Sequence, residues 1–185
     1  MHISIISSSV REGRASHRVA LFFKNYIEAN QQATVELLDL KTYNFPLFDE
    51  RLKFQKDPLP AAMSFAEKIK TADGVIIVTP EYNGGYPASI KNAIDLLIDE
   101  WKRKPVAIST VSAGVFGGSQ VITSLLFSLW KIGAIVVSAT FPVPDISKSF
   151  DENGSPTDRE SAEKRAGKFI GELVWFIEAK KRMVS

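Results

Sequence analysis

Short apolar segments alternate with amphipathic segments along the whole chain. The apolar segments are rich in β-branched residues, which favour strands. In the amphipathic segments apolar residues recur every three or four positions, which is typical of a helix buried on one face. This pattern predicts strands at residues 3–7, 35–40, 74–79, 106–110 and 134–141. It predicts helices at residues 19–27, 58–72, 90–101, 121–130 and 162–177.

Two stretches follow neither period and are expected to be irregular, residues 41–57 and the polar residues 142–156. The segment 74–79 is apolar without alternation, as expected of a strand covered on both faces. Five strand–helix units with short connections imply a parallel sheet with right-handed crossovers and helices on both faces. No repeat or linker interrupts the pattern, so we expect one α/β domain over residues 1–185.

The composition excludes several classes of chemistry. With 45% hydrophobic and 24% charged residues, the chain has the make-up of an ordinary globular protein. The formal net charge of +2 gives no support to nucleic-acid binding, which usually needs a clustered basic face. The absence of cysteine excludes disulfides, thiolate metal sites, iron–sulfur clusters and thiol redox catalysis. With two histidines and no evident carboxylate cluster, no metal site is expected, and any redox chemistry needs a bound cofactor.

The start of the chain runs directly into a strand pattern and lacks the features of a secretory signal. No apolar run approaches the roughly 18–20 residues that span a bilayer. We therefore expect a cytoplasmic protein with no membrane partner.

Candidate chemistry lies in the loops that follow the first, third and fourth strands, because ligands of open parallel sheets bind at the carboxyl ends of strands. The first loop carries hydroxyls and two guanidiniums just before a helix, and a helix N-terminus favours an anion. Arginine suits phosphate because its planar fork donates two parallel hydrogen bonds. The candidate residues are Ser9, Arg11, Arg14 and Ser16. The alternative is a solvated turn in which Ser16 caps the helix.

The second and third loops combine turn residues with groups that can approach a flat ligand. Pro80, Glu81, Tyr82, Asn83 and Gly84 predict a sharp turn that exposes backbone amides beside aromatic surface. The alternative is a rigid strand-to-helix turn, since Asn-Gly is a common turn pair. In the third loop, Ser112, Gly114 and Gly117 allow the backbone to approach a ligand closely. The alternative there is a flexible connector.

The runs SSSVREGRASHRVA, TPEYNGGYPASIKNAIDLL and SAGVFGGSQ resemble the NADPH-dependent FMN reductase family, which is flavodoxin-like and includes azoreductases and quinone reductases. The resemblance implies a doubly wound five-stranded sheet of order 2-1-3-4-5 that holds FMN without a covalent bond. The first loop would hold the phosphate, the second would meet the isoalloxazine edge, and the third would lie on the other side of the ring. The chain departs from the family pattern at Ser8, where glycine is usual, and at Gly85, where serine is common.

The resemblance also implies an activity. NADPH or NADH would pass a hydride to the flavin, and a second small molecule such as a free flavin, a quinone or an azo compound would then take the electrons in a ping-pong reaction. The resemblance further implies that this chain forms a homodimer or homotetramer in which neighbouring subunits complete the pocket. The alternatives are an FMN-binding electron carrier and a regulatory module without cofactor. His17 is expected to be exposed rather than near the cofactor. Tyr82 and Tyr86 have two open interpretations: they cover the flavin or a neighbouring subunit, or they fill the space under their own loop.

Overall fold

A parallel β-sheet forms the centre of the protein, as seen in a computed structural model that describes residues 1–184. Within these residues the sheet has five strands in the order β2-β1-β3-β4-β5. They are β1 (His2–Ser7), β2 (Thr34–Asp39), β3 (Gly74–Pro80), β4 (Pro105–Val111) and β5 (Ile135–Val143). Every neighbouring pair is parallel. The predicted flavodoxin-like fold and its strand order are confirmed.

Helices cover both faces of the sheet. They are α1 (Ser16–Ala29), α2 (Leu40–Tyr43), α3 (Pro60–Thr71), α4 (Ala88–Leu96), α5 (Gln120–Lys131), α6 (Ile146–Ser149) and α7 (Arg159–Val184), with 3₁₀ turns at Leu52–Phe54 and Asp99–Trp101. Helices α1 and α7 bury their apolar faces on one side of the sheet, and α3, α4 and α5 bury theirs on the other. On the first side, Phe23 packs against Phe141 and Phe169 with ring centroids 5.0 and 5.1 Å away.

The two strands β3 and β4 are buried at every position. This explains their apolar sequence, because each is covered by helices above and below and flanked by strands on both sides. The edge strand β5 instead has buried positions interrupted by exposed ones.

Several predicted boundaries are wrong. The stretch 41–57 is not wholly irregular, because it contains most of α2 and the 3₁₀ turn at Leu52–Phe54, and β2 ends at Asp39, one residue before its predicted end. Helix α4 ends at Leu96 and does not reach residue 101, because Leu97 has an extended backbone. Trp101 is buried as predicted, but it lies in the 3₁₀ turn rather than in α4. Its indole Nε1 donates to the Ile94 carbonyl at 3.2 Å. Helix α3 begins at Pro60, two residues after its predicted start. The stretch 142–156 also contains the end of β5 and helix α6.

The register of the sheet determines where the candidate loops lie. Ser7 at the end of β1 pairs with Asp39 of β2 and with Val78 of β3. Pro80 at the end of β3 pairs with Val111 at the end of β4. The loops that follow β1, β3 and β4 therefore leave the same edge of the sheet side by side.

Candidate functional site

The first loop, residues 8–15, continues directly from β1. The Ser8 amide donates to the Val78 carbonyl at 3.0 Å, which extends the β1–β3 pairing by one residue. Ser8 and Ser9 are fully buried. The Ser9 hydroxyl forms a hydrogen bond with the Tyr82 hydroxyl at 2.7 Å and accepts from the Arg11 amide at 3.4 Å. The start of the loop is thus held in place from both β3 and the second loop.

Two buried hydroxyls, those of Ser8 at the start of this loop and of Ser16 just after its end, lack a hydrogen-bond partner within residues 1–184. Ser8 follows β1, and Ser16 is the first residue of α1. The N-cap position is Ala15, and no side chain caps the helix, so the interpretation of Ser16 as a helix cap is wrong. A buried unpaired hydroxyl is costly. These two residues lie at the start of the loop and just after its end, where the loop leads into the positive end of a 14-residue helix, and that end of a helix favours an anion.

The two arginines of the loop differ in their surroundings. Arg11 is exposed, and in the part of the chain that the structure describes its guanidinium has no hydrogen-bond or ion-pair partner. Arg14 instead donates from both terminal nitrogens to the Asp39 carboxylate and from Nη1 to the Ser9 carbonyl at 2.7 Å. Arg11 is therefore available to a ligand, whereas Arg14 is occupied within the protein.

The second loop is a tight hairpin turn. Tyr82 and Gly85 exchange two backbone hydrogen bonds of 2.8 and 3.1 Å, and between them Asn83 and Gly84 both have positive φ, at 52° and 79°. These are the dihedral signs of a type I′ turn, which favours Asn-Gly. The two backbone bonds close the loop, and Asn83 and Gly84 are exposed at its tip. The Glu81 amide donates to the Val111 carbonyl at 3.0 Å and so holds the loop against the end of β4.

The third loop, residues 112–119, is packed against the end of β5. The Ser112 amide donates to the Val143 carbonyl at 3.1 Å, and the Ser112 hydroxyl donates to the Gly114 carbonyl at 3.0 Å. Gly117 has a φ of 60°, and a Cβ there would lie 3.0 Å from the Val143 nitrogen. The close approach that Gly117 permits is therefore to the protein's own backbone. Gly114 is open by contrast, since its nearest neighbour would be the Ser112 hydroxyl at 3.9 Å.

The structure brings all three loops together. Tyr82 links the second loop to the first through Ser9. A Cβ on Gly84 would lie 3.4 Å from Oε1 of Gln120, the first residue of α5, so the second loop also adjoins the end of the third. The predicted residues thus line one edge of the sheet, but with different roles: Ser16 and Arg11 have free polar groups, whereas Ser9, Arg14 and Gly117 hold the loops in place.

His17 belongs to a polar network behind the first loop and is half-buried rather than exposed as predicted. Its Nδ1 shares a hydrogen bond of 3.0 Å with the Ser7 hydroxyl and lies 3.9 Å from the Asp39 carboxylate. Burial and the charge of Arg14 lower the pKa of His17, although Asp39 opposes them. Burial alone would raise the pKa of Asp39, but hydrogen bonds from Arg14 and the Lys41 amide hold it below its usual value.

Two residues that hold the first loop in place did not stand out in the sequence, Asp39 and Ser89. The Ser89 hydroxyl donates to the Ser8 carbonyl at 2.5 Å. One turn further along α4, the Asn92 amide donates to the Pro46 carbonyl and accepts from the Phe48 amide. A polar residue at the end of a buried strand, and a polar residue on a helix that follows a candidate loop, are the signals that could have indicated Asp39 and Ser89.

Within the described residues, 1–184, no helix is both long and apolar enough to cross a bilayer. The same residues contain no group of three or more acidic or histidine side chains placed to hold a metal ion.

Comparison with known proteins gives consistent matches. The sequence profile described as NADPH-dependent FMN reductase matches residues 1–148. The NAD(P)H-dependent FMN reductase LOT6 of Saccharomyces cerevisiae is 30% identical, over 78% of this chain and 86% of its own. A quinone reductase of Escherichia coli K12 is 35% identical, over 75% of this chain and 74% of its own. Among solved structures, the flavoenzyme NAD(P)H:(acceptor) oxidoreductase FerB of Paracoccus denitrificans has a TM-score of 0.78 at 25% identity, covering 96% of this chain and 97% of that one.

Proposed function

Because the chain belongs to the NADPH-dependent FMN reductase family, we propose that it holds FMN at the three-loop edge of the sheet and passes electrons from NAD(P)H to a small-molecule acceptor. Family membership confirms the expectation of an NAD(P)H-dependent reductase that uses FMN. The observation that supports this placement of FMN is the pair of buried, unpaired hydroxyls on Ser8 and Ser16.

The first loop fits a phosphate. A phosphate monoester has several acceptor oxygens, and the loop offers the Ser8 and Ser16 hydroxyls, the Arg11 guanidinium and the first amides of α1. The hydroxyl of Ser8 is an additional donor at a position where a glycine would offer only its amide. The departure from the family pattern is therefore compatible with the proposed ligand.

The second and third loops supply a rigid frame beside that phosphate site. The turn at Asn83 and Gly84 keeps its backbone groups exposed and fixed, because both neighbours of the turn are hydrogen-bonded to each other. A fixed dipole needs no reorganisation when charge develops nearby, so such groups stabilise an electron-rich ring edge. When bound, FMN supplies the hydride and electron chemistry, and the protein contributes position and electrostatics.

The names of the relatives bear on the choice of acceptor. Relatives are described as FMN reductase, quinone reductase and NADPH azoreductase, and these activities share a flat, conjugated acceptor. We therefore propose an acceptor of this kind, used in turn with NAD(P)H in a ping-pong cycle. Steady-state rates at several fixed NADPH concentrations should then give parallel double-reciprocal lines against a quinone, whereas intersecting lines would contradict the ping-pong order.

A visible absorption spectrum tests the proposed function directly. Purified protein mixed with FMN should show the bands of a bound flavin, and anaerobic NADPH should bleach them rapidly in a stopped-flow instrument. A protein that binds FMN but is not reduced by NADPH would be an electron carrier. A protein that stays colourless and rejects added FMN would be a module without cofactor.

A cytoplasmic location remains a prediction of the sequence.

We further propose that the protein self-associates through α5. Leu126, Phe127 and Trp130 are 44%, 62% and 64% exposed on this helix, and the two rings lie 5.8 Å apart. α5 carries no acidic residue and a single basic one, Lys131, so a two-fold contact would bring few like charges together. In sedimentation, Phe127→Ser with Trp130→Ser should give monomers. Trp175→Ser, which changes an equally exposed tryptophan on α7, should leave the assembly intact.

A further inference from the structure

We propose that Asp39 is a positioning residue for the phosphate of the cofactor, acting through Arg14 on the first loop. This inference rests on the proposed function, since it concerns the same loop. In this interpretation Arg14 does not bind the phosphate but holds the first loop in its conformation. Arg11 is then the guanidinium that contacts the anion.

The geometry places Asp39 beside the loop through the sheet itself. It is the last residue of β2 and lies opposite Ser7 in the β1–β2 register. Its two carboxylate oxygens accept from the two terminal nitrogens of Arg14, and Oδ1 also accepts from the Lys41 amide at 3.0 Å. The carboxylate is thereby fixed to both β2 and α2, and it is a rigid point of attachment.

Arg14 carries this attachment across the loop. Its Nη1 also donates to the Ser9 carbonyl at 2.7 Å, so one side chain closes the segment from residue 9 to residue 14. The Arg14 and Asp39 side chains are only 14% and 18% exposed. A two-pronged pair that is shielded from water holds its geometry better than an exposed ion pair. Opening this pair would free the loop between the two unpaired serines.

The negative charge of the Asp39 carboxylate makes the proposal testable. A carboxylate near an anion site repels the anion, so a purely electrostatic view predicts that neutralising Asp39 tightens FMN binding. A bracing role predicts the reverse, because the donors on the loop lose their alignment. Riboflavin lacks the phosphate and serves as the internal comparison, since disorder confined to the first loop should affect it little.

The experiment measures dissociation constants of FMN and riboflavin by flavin fluorescence for the wild type, Asp39→Asn, Arg14→Ala and the double variant. We expect each single change to weaken FMN binding by about fivefold or more, with riboflavin affinity nearly unchanged. The double variant should bind FMN no more weakly than the single variant with the lower FMN affinity. Glu36→Gln is the matched control, because Glu36 also lies on β2 and is paired with a lysine, Lys68, away from the loop. It should bind FMN like the wild type.

Two further measurements cover the case in which Asp39→Asn folds poorly. Arg14→Lys keeps the charge but loses the two-pronged fork, so it should bind FMN as weakly as Arg14→Ala. In the apoprotein, hydrogen exchange of the amides of residues 9–14 should be faster in Arg14→Lys than in Glu36→Gln. Tighter or unchanged FMN binding by Asp39→Asn or Arg14→Lys would overturn the bracing role alone. Failure of the wild type to bind FMN would instead overturn the proposed function.

Discussion

The hydroxyls of Ser9 and Tyr82 form a hydrogen bond of 2.7 Å that joins the first loop to the second across 73 residues of sequence. Ser9 is fully buried and Tyr82 is partly buried, so this bond is partly screened from water. It fixes the distance between the proposed phosphate site and the turn that is proposed to meet the ring. FMN can contact both loops only if that distance is maintained.

The first prediction concerns this link. Tyr82→Phe removes the bond but keeps the ring, so FMN affinity should fall by about fivefold, the equivalent of one neutral hydrogen bond of about 1 kcal/mol. Fluorescence titration with FMN measures the change. Tyr86→Phe is the control, because the Tyr86 hydroxyl bonds to Ser128 on α5 at 3.0 Å and not to the first loop. Equal losses in the two variants would contradict a specific role for the Ser9–Tyr82 bond.

The second prediction concerns the unpaired hydroxyls. Ser8→Ala and Ser16→Ala should each weaken FMN binding by roughly tenfold to a hundredfold, since a hydrogen bond to a charged group contributes on the order of 1.5–3 kcal/mol. The apoproteins should be as stable as the wild type or more so, because neither hydroxyl has a partner within residues 1–184. Isothermal titration and thermal melts measure the two quantities.

Ser109→Ala is the matched control for these serines. Ser109 is also fully buried, but its hydroxyl donates to the Phe141 carbonyl at 2.8 Å. This variant should lose stability and keep its FMN affinity. If Ser8→Ala and Ser16→Ala behave in the same way, the first loop is not the phosphate site.

The third prediction separates two of the three glycines of the third loop, Gly114 and Gly117. Gly117→Ala should lower the free energy of unfolding by about 1–3 kcal/mol, because alanine is strained at positive φ and its Cβ would press on the backbone of β5. Gly114→Ala should have little effect on stability, since the space around it is open. Urea unfolding of both apoproteins measures the difference. Similar values for the two variants would be incompatible with the tight packing at Gly117.

The fourth prediction concerns pH and lies at the opposite edge of the sheet. Lys104 is buried, and its Nζ donates to the carbonyls of Lys70, at 3.0 Å, and Ala72 at the end of α3. Burial lowers the pKa of Lys104 from 10.5 to about 8. Between pH 8 and 10.5 the unfolded chain therefore holds more protons at this position than the folded protein, so the folded state gains stability as the pH rises.

The measurement is the free energy of unfolding of the wild type minus that of Lys104→Met, followed from pH 7 to pH 10.5. This difference should rise above pH 8. The same comparison with Lys131→Met, at an exposed position on α5, corrects for the general effect of removing a lysine. A Lys104 difference that stays flat or falls would show that the buried ammonium is not penalised.

The pattern of apolar residues was enough to predict the five strands, because burial between two helical layers leaves an unbroken apolar run such as residues 74–79. The convergence of the candidate loops followed from the same reasoning, since parallel strands present their carboxyl ends at one edge. Local pattern failed at residue 97, where an extended backbone ends α4 while the apolar spacing continues to Trp101. Periodicity reports which residues are buried, not which element buries them.

The sequence by itself determined the sheet, its layers and the edge at which the loops meet, since these depend on hydrophobicity and on the direction of the strands. Only the tertiary structure decided which polar groups of the first loop are free. Arg11 and Arg14 look alike in the sequence, but Asp39, 25 residues beyond Arg14, accepts hydrogen bonds from the Arg14 guanidinium and not from that of Arg11. Hydrogen-bond partners depend on positions at the scale of an ångström, and those positions are set by packing across the whole sheet rather than by neighbours along the chain.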